Sequence, residues 1–406
     1  MNDPSRLRWL ALFAFTLASS LSFLDRQLLS SLAPTIQKEF ALNATEYGYI
    51  VAAFSLSYAL AAPLAGVLID RYGLNRMAPL AVAAWSTVGI ATGFTTGFVS
   101  LLLYRAALGV TESGSLPASG KAVALYALPG ERALGSAVGQ IGISIGMVGA
   151  PLLASFMAVH YGWRSAFVAA GLLGFLWIPL WLAASRAIPP VNPERRGLPG
   201  AFGEIARDRR TWGLIAANVL SMTVYSLWMN WTTPLLVHTY GLSQEQANFR
   251  LAWIPPFFAA AGGLFGGWLS ARFVRSGAAL LDARLRTILL AAAALTATAL
   301  APSMPSGGLA TAVICWSFFW IVALSANTYA LPLDFFGVQK AATGVAALTM
   351  AYGLLQTVMS PAVGRMVDRF GFAPVCQIIG LMPLAAWLVL RATAREKESA
   401  AGPDPC

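Results

Sequence analysis

The sequence predicts an all-α integral membrane protein of twelve transmembrane helices in two six-helix, pseudo-symmetric halves. Three observations predict it. Of 406 residues, 57% are hydrophobic and only 11% charged, whereas a soluble domain carries about 25% charged residues to face water. Apolar runs of roughly 20 residues, enough to cross ~30 Å of hydrocarbon, recur along the whole chain. One long polar interruption, RAIPPVNPERRGLPGAFGEIARDRR at 186–210, leaves six such runs before it and six after.

The first span, 9–33, follows Arg6 and Arg8 and has the look of a signal peptide over Trp9–Leu24. Only further spans follow, so an uncleaved first helix is expected. Spans at 47–69, 77–96, 100–121, 132–158 and 164–185 complete the N-terminal half, 1–185. The Pro-, Gly- and Arg-rich stretch 186–210 is the linker. Spans at 211–237, 249–270, 286–303, 307–331, 341–365 and 372–392 form the C-terminal half, 211–392, before a tail at 393–406.

The net charge of +10 is spread between apolar segments, which excludes a nucleic-acid-binding stripe and reads instead as positive-inside bias. One side collects Arg6, Arg8, Arg71, Arg76, Arg132, the linker arginines, Arg272, Arg275, Arg284, Arg286, Lys340, Arg391, Arg395 and Lys397. The other holds Lys38, Arg164, Arg250, Arg365 and Arg369. The ratio, roughly four to one, predicts both termini in the cytoplasm and a multi-pass protein of the cell (inner) membrane.

Cys315, Cys376 and Cys406 have no framework spacing, and His160 and His238 are the only histidines. No disulfide, metal or cofactor is expected. GVLIDRYGLNR (66–76) is echoed by GWLSARFVRSG (267–277), and PLLASFMAVHYGW (151–163) by PAVGRMVDRFGF (361–372). Two echoes at a similar offset suggest parallel repeats with a midplane site between them.

Ionisable groups inside spans are functional candidates by default. Asp25 and Arg26 lie in the first span, Arg105 and Glu112 in the fourth. Arg105 and Glu112 are two turns apart and share a face, with Gly109 between them opening space for a helix or ligand. A guanidinium offers a planar, two-pronged partner to a carboxylate. A buried carboxylate that loses its arginine to an anion holds a proton instead, so anion and proton binding are linked. The competing reading is a set of structural ion pairs that fix helix packing. Gly66, Asp70, Arg71 and Arg76 read as a gating loop, with Gly66 permitting close helix approach and the charges latching the halves. Tyr58, Gln140, Tyr225, Asn230, Trp231, Asn327 and Gln356 supply hydroxyls, amides and a flat face within spans, as do Trp228 and Tyr352.

GVLIDRYGLNR resembles the signature loop of the major facilitator superfamily. FLDRQLLSSLAPTIQKEF (23–40), YGYIVAAFSLSYALAAPLAGVLIDRYG (47–73), YRAALGVTESGSLPASGKAV (104–123), ERALGSAVGQIGISIGMVGAPLL (131–153) and HYGWRSAFVAAGLLGFLW (160–177) together resemble its anion:cation symporters, nearest the hexuronate and sugar-acid group. The likeness is specific over about 20–180 and at superfamily level beyond. It implies the major facilitator fold and proton-coupled uptake of a small organic anion by alternating access. It implies Asp25 and Glu112 as proton-coupling groups, Arg26 and Arg105 as anion-binding and tuning groups, and Tyr58 and Gln140 as substrate contacts. The partners expected are the anion, protons and the lipid bilayer, with a monomer as the unit and no nucleic acid. The sequence departs from the family at Thr111, where glycine is usual, and over ALTMAYGLLQ (347–356), usually Asn-rich. Rival readings are a monocarboxylate or lysophospholipid-type facilitator, and a non-transporting membrane sensor. An intramembrane enzyme would need a nucleophile–base or metal set that the sequence lacks.

Overall fold

The computed structural model describes residues 4–127, 132–187 and 201–394; most of the expected linker (188–200) and of the tail (from 395, with Arg395, Lys397 and Cys406) lies outside them. The described residues are built from helices: α1 Pro4–Glu39, α2 Ala44–Tyr72, α3 Leu74–Thr92, α4 Phe98–Glu112, α5 Ser115–Tyr126, α6 Arg132–Tyr161 and α7 Arg164–Ala187. After the linker come α8 Ala201–Ala206, α9 Arg209–Tyr240, and α10 Gln244–Ala247, which passes through a π-turn into α11 Pro255–Arg275. Then follow α12 Leu280–Leu295 with a 3-10 extension to Ser303, α13 Gly307–Thr328, α14 Leu331–Phe370 and α15 Phe372–Thr393.

Nine helical segments among the described residues are long and apolar enough to cross a membrane. The other three expected spans fall short of that measure. α1 carries Asp25 and Arg26 in its middle, α3 has 19 residues with Asn75 and Arg76 in its first turn, and the fourth span is divided at Ser113–Gly114 into α4 and α5. Span ends are set by capping chemistry. Asn43 and Glu46 form a reciprocal capping box that starts α2, satisfying helix-end N–H groups that lipid would leave bare. Gly73 and Gly371, at φ +84 and +73, turn the chain after α2 and α14 where a β-carbon would be strained.

Lipid does not drive helices together as water does, so close backbone approach has to. On α6, a β-carbon at Gly142 would stand 2.3 Å from the Thr16 carbonyl, and one at Gly146 2.2 Å from that of Ser20, so α6 lies directly on α1. Gly48 and Gly364 do the same between α2 and α14, and Gly262 and Gly266 between α11 and α13.

The apolar core is in two parts. One joins residues 28–51 of α1 and α2, and parts of α6 and α7, to α9–α15. The other, residues 11–21, 69–85, 108–127 and 177–184, is built from α1–α5 and α7 alone. The helices before and after the linker therefore share a core at the end of the bundle where the chain turns at 40–43 and 371, the closed end, and have separate packing at the opposite, open end. At the closed end Trp163 and Arg164 bond Glu39, at 2.5 and 2.7 Å, and hold its carboxyl below the usual glutamate range. That tie is whole at neutral pH and is lost only as pH falls through the depressed value.

The expected gating loop sits at the open end and, among the described residues, shows no bond across the linker. Asp70 pairs with Lys121 at 2.6 Å, its side chain 76% exposed; Arg71 lies over Tyr72, and Arg76 is exposed. Around Gly66 no atom comes within 4 Å of a built β-carbon, so the expected close helix approach is absent there. The two ends are in opposite states, and this one is parted. The short α8 docks on α14 through Glu204–Lys340 at 2.5 Å, and the carbonyl of its buried Ile205 accepts from the Thr211 hydroxyl of α9.

Gly146→Val should drive α1 off α6 and lower stability by about 1–3 kcal/mol, seen as a lower melting temperature in detergent. Gly139→Ala, two turns earlier on the same helix with nothing within 4 Å, should leave it equal or slightly higher.

Candidate functional site

Four charges meet where α1 crosses α4. Arg26 donates from Nε to Glu112 Oε2 at 2.7 Å and from Nη2 to Ser115 Oγ at 3.4 Å. Ser22 Oγ donates to the same Glu112 oxygen at 3.1 Å. Arg105 Nη2 donates to the Arg26 carbonyl at 3.2 Å, tying α4 to the α1 backbone. Asp25 is 4% exposed, with Gly89 of α3 leaving it room, and lies within electrostatic reach of Glu112, Arg105 and Arg26. The four side chains are one cluster of zero formal charge.

Local sequence explains the placement. The seven-residue spacing puts Arg105 and Glu112 on the same side of α4. Helix α4 stops at Glu112, where Ser113 Oγ donates to the Val110 carbonyl, and restarts at Ser115, so Ser115 faces the guanidinium. Gly109 lets α2 in: its β-carbon would meet Ser57 Oγ at 2.1 Å and the Phe54 carbonyl at 2.4 Å. The space goes to a helix, and it seats Phe54 and Tyr58 against the charges.

Aromatic rings wall the cluster. The Arg26 guanidinium lies 4.6 Å from the Tyr58 ring centre, 4.9 Å from Phe23 and 5.1 Å from Phe54. Arg105 lies 5.7 Å from Phe54. Such faces attract cations without supplying a competing charge. The side chain of Glu112 is wholly buried, while that of Arg26 keeps 16% of its surface exposed. Arg26 is the member of the pair that a solute can reach.

Several polar atoms here are buried without a hydrogen bond of acceptable geometry: Glu112 Oε1, Arg105 Nε and Nη1, and the Tyr58 hydroxyl beside Arg26. Native proteins rarely leave such atoms unbonded, and a cluster of them is where an incoming oxygen or proton finds partners. Facing them from beyond the linker, Tyr225 and Tyr352 lie 6.2 Å apart within electrostatic reach of Arg26. Gln356 donates to the Tyr352 hydroxyl and accepts from Ser55 Oγ, both at 2.7 Å.

Other expected residues lie elsewhere or are already engaged. Gln140 is exposed on α6. Asn230 donates its amide to Ser226 O, one turn back, and its carbonyl accepts from Tyr47. Trp231 is buried against Tyr47 and Phe372 and lines a cavity of about 730 Å³ at the closed end, with Lys38 and His238. Asn327 is 1% exposed and donates to the Gly266 and Ala323 carbonyls, beside the Arg284–Asp334 pair. The second half thus presents Tyr225, Tyr352 and Gln356 rather than Trp231 or Asn327.

Sequence reasoning missed Ser22, Phe23, Phe54 and Ser115. For Ser22, Phe23 and Phe54 the signal was present, since each lies three or four residues from a charged or aromatic member on the same helix face; Ser115 lies across the α4–α5 break, which the spacing does not show. Among the described residues no group of three or more His, Cys, Asp or Glu could hold a metal ion. Cys315 and Cys376 are buried and free.

Comparison with known proteins follows the geometry. Residues 15–355 match the family described as Major Facilitator Superfamily. The hexuronate transporter of Escherichia coli (strain K12) is 28% identical over 417 residues, covering 98% of this chain and 96% of its own. The galacturonate transporter of Dickeya chrysanthemi is 26% identical, covering 66% of this chain and 82% of its own. The hexuronate transporter of Bacillus subtilis (strain 168) is 30% identical, covering 66% of each. A crystal structure of a bacterial homolog to human lysosomal transporter Spinster, inward-facing and unoccupied, superposes with a TM-score of 0.74 at 23% identity, covering 96% of this chain and 95% of that one.

Tyr58→Phe removes a buried hydroxyl that lies beside the Arg26 guanidinium without a hydrogen bond of acceptable geometry. The ligand-free protein should melt at the same temperature or higher, the gain reaching about 1 kcal/mol.

Proposed function

Because the chain belongs to the Major Facilitator Superfamily, we propose that it takes up a small organic anion, a hexuronate or related sugar acid, together with protons by alternating access. It is a multi-pass membrane transporter rather than an enzyme. In this reading twelve spans form two halves, 1–185 and 211–392, joined by the linker 186–210, and the charge asymmetry puts both termini in the cytoplasm. The open end then faces the cytoplasm.

The observation that carries the proposal is the Arg26–Glu112 pair, a mostly buried guanidinium with a small exposed face beside a fully buried carboxylate. An arriving carboxylate competes with Glu112 for Arg26, because Glu112 takes only the Nε donor and a free carboxylate can grip a guanidinium by two donors at once. Glu112, deprived of its counter-ion in a low-dielectric site, then holds a proton, since an unpaired buried charge costs several kcal/mol. Asp25 exchanges protons with it, and Arg105 sets the balance between the two acids. Loading an anion and a proton together leaves the cluster's net charge unchanged, and a neutral cluster can be carried between the two closed states. Anion alone, or proton alone, leaves an uncompensated charge in oil.

The substrate class rests on two supports. Several relatives carry names of sugar-acid transporters. Tyr58 on one side, and Tyr225, Tyr352 and Gln356 on the other, set hydroxyl and amide groups around Arg26, suited to a cargo with one carboxylate and several hydroxyls. Gln140 enters this reading from the resemblance alone, and Asp70 with Arg71 are read as latching the open end when it closes.

In proteoliposomes, labelled glucuronate or galacturonate should accumulate against its gradient when the outside is acidic, and accumulation should collapse with a protonophore. Arg26→Ala should weaken binding by about 100-fold; normal binding would remove the clamp assignment. Glu112→Gln should bind and exchange substrate yet lose gradient-driven accumulation, and intact accumulation would overturn the coupling role. A panel with a monocarboxylate and a lysophospholipid separates the rival cargoes.

A further inference from the structure

Helices α2 and α14 lie side by side and antiparallel. A β-carbon at Gly364 would stand 2.3 Å from the Ala44 carbonyl, one at Gly48 2.4 Å from that of Ser360, and Gly353 faces Ala59 at 3.0 Å. The two helices end in the same words. Residues 66–73 read GVLIDRYG and residues 364–371 read GRMVDRFG, a shared Gly-x-x-x-Asp-Arg-aromatic-Gly closed by a positive-φ glycine. The first sits at the open end of α2, the second at the closed end of α14.

At the closed end the motif is engaged. Asp368 accepts from the Ala44 N–H and the Thr45 N–H, both at 2.8 Å, and from the Thr45 hydroxyl at 2.5 Å. One carboxylate from beyond the linker therefore caps the first turn of α2, where bare N–H groups and the helix dipole favour an anion. Neighbouring bonds lie within the same few turns: Arg365 to the Tyr49 hydroxyl at 2.6 Å, the Tyr47 hydroxyl to the Asn230 carbonyl at 2.8 Å, and Asn248 to the Ser31 carbonyl at 2.9 Å. Asp368 also borders the cavity at that end, so it is reached from water.

At the open end the twin motif is disengaged, with Asp70 turned to Lys121. Continued to that end, the antiparallel register sets Asp70 opposite the turn of α14 that restarts after Gly337, where φ is +71 and the helix breaks. A helix break exposes N–H groups of the kind Asp368 caps on α2.

We infer that Asp368 is a closed-end latch, the counterpart of Asp70 on the other member of one helix pair, and that it holds this end shut by capping α2. The pair then carries the same carboxylate device at both ends, and each state of the bundle engages one of them. The inference rests on the alternating-access reading only for its consequence in transport, and its test needs no substrate.

The full-length protein in nanodiscs, with Cys406→Ser and spin labels at Lys38→Cys and Thr239→Cys, reports the closed end by pulsed electron resonance distances. A second pair at Asn75→Cys and Arg275→Cys reports the open end. In Asp368→Asn the long-distance fraction at the closed end should rise about tenfold, the order expected for a charge-assisted cap, while the open-end pair shortens. Thr45→Val, which removes one of the three bonds, should move both in the same direction by less. Asp70→Asn should leave the closed-end pair at its short distance. An unchanged closed-end distribution in Asp368→Asn would overturn the latch. So would broadening of both ends together with a lowered melting temperature, or an equal response to Asp70→Asn. Failure of sugar-acid transport with these distances as expected would count against the substrate reading alone.

Discussion

Charge in hydrocarbon must be compensated within a few ångströms, and that constraint organises this molecule. Asp25, Arg26, Arg105 and Glu112 neutralise one another at the crossing of α1 and α4. Everything near them serves that neutrality or keeps it accessible. The aromatic faces of Phe23, Phe54 and Tyr58 favour the cation without offering a fixed anion. The break between α4 and α5 turns Ser115 toward the guanidinium. A cluster so balanced tolerates an added anion only with an added proton, which is the physical content of the coupling we propose.

The second constraint is packing without a strong hydrophobic drive. Glycines place helix backbones in contact within each bundle, on α1–α6, α2–α4 and α11–α13, and across the bundles on α2–α14. The other joining contacts between the bundles are hydrogen bonds and helix caps concentrated at the closed end. Rigid within and breakable between is the mechanical requirement for exposing one site to two sides in turn.

Much was legible because membrane chemistry is severe. A charged residue inside an apolar run is conspicuous, and all four members of the cluster were visible before any fold was known. The neutral members were less so. Ser22 and Ser115 are ordinary residues whose importance comes only from what they touch. Trp231 and Asn327 illustrate the reverse error: each is polar or aromatic within a span, yet Trp231 packs at the closed end and Asn327 is spent on backbone carbonyls. Composition cannot say which side of a helix a residue is on when most sides are apolar, because the periodic contrast that marks a face is missing.

The amino-acid sequence alone determined that the chain is helical, lives in lipid, and buries four ionisable groups in its first half, since backbone hydrogen bonding in oil and the scarcity of charge leave little choice. Its polarity also marks 186–210 as the division we propose. The tertiary structure alone decided that Gly109 makes room for a helix rather than a ligand, that Asp368 rather than Asp70 is the engaged cap, and that the bundle is parted at one end. Those outcomes depend on which helix faces which across a hundred residues or more, and no local propensity encodes them.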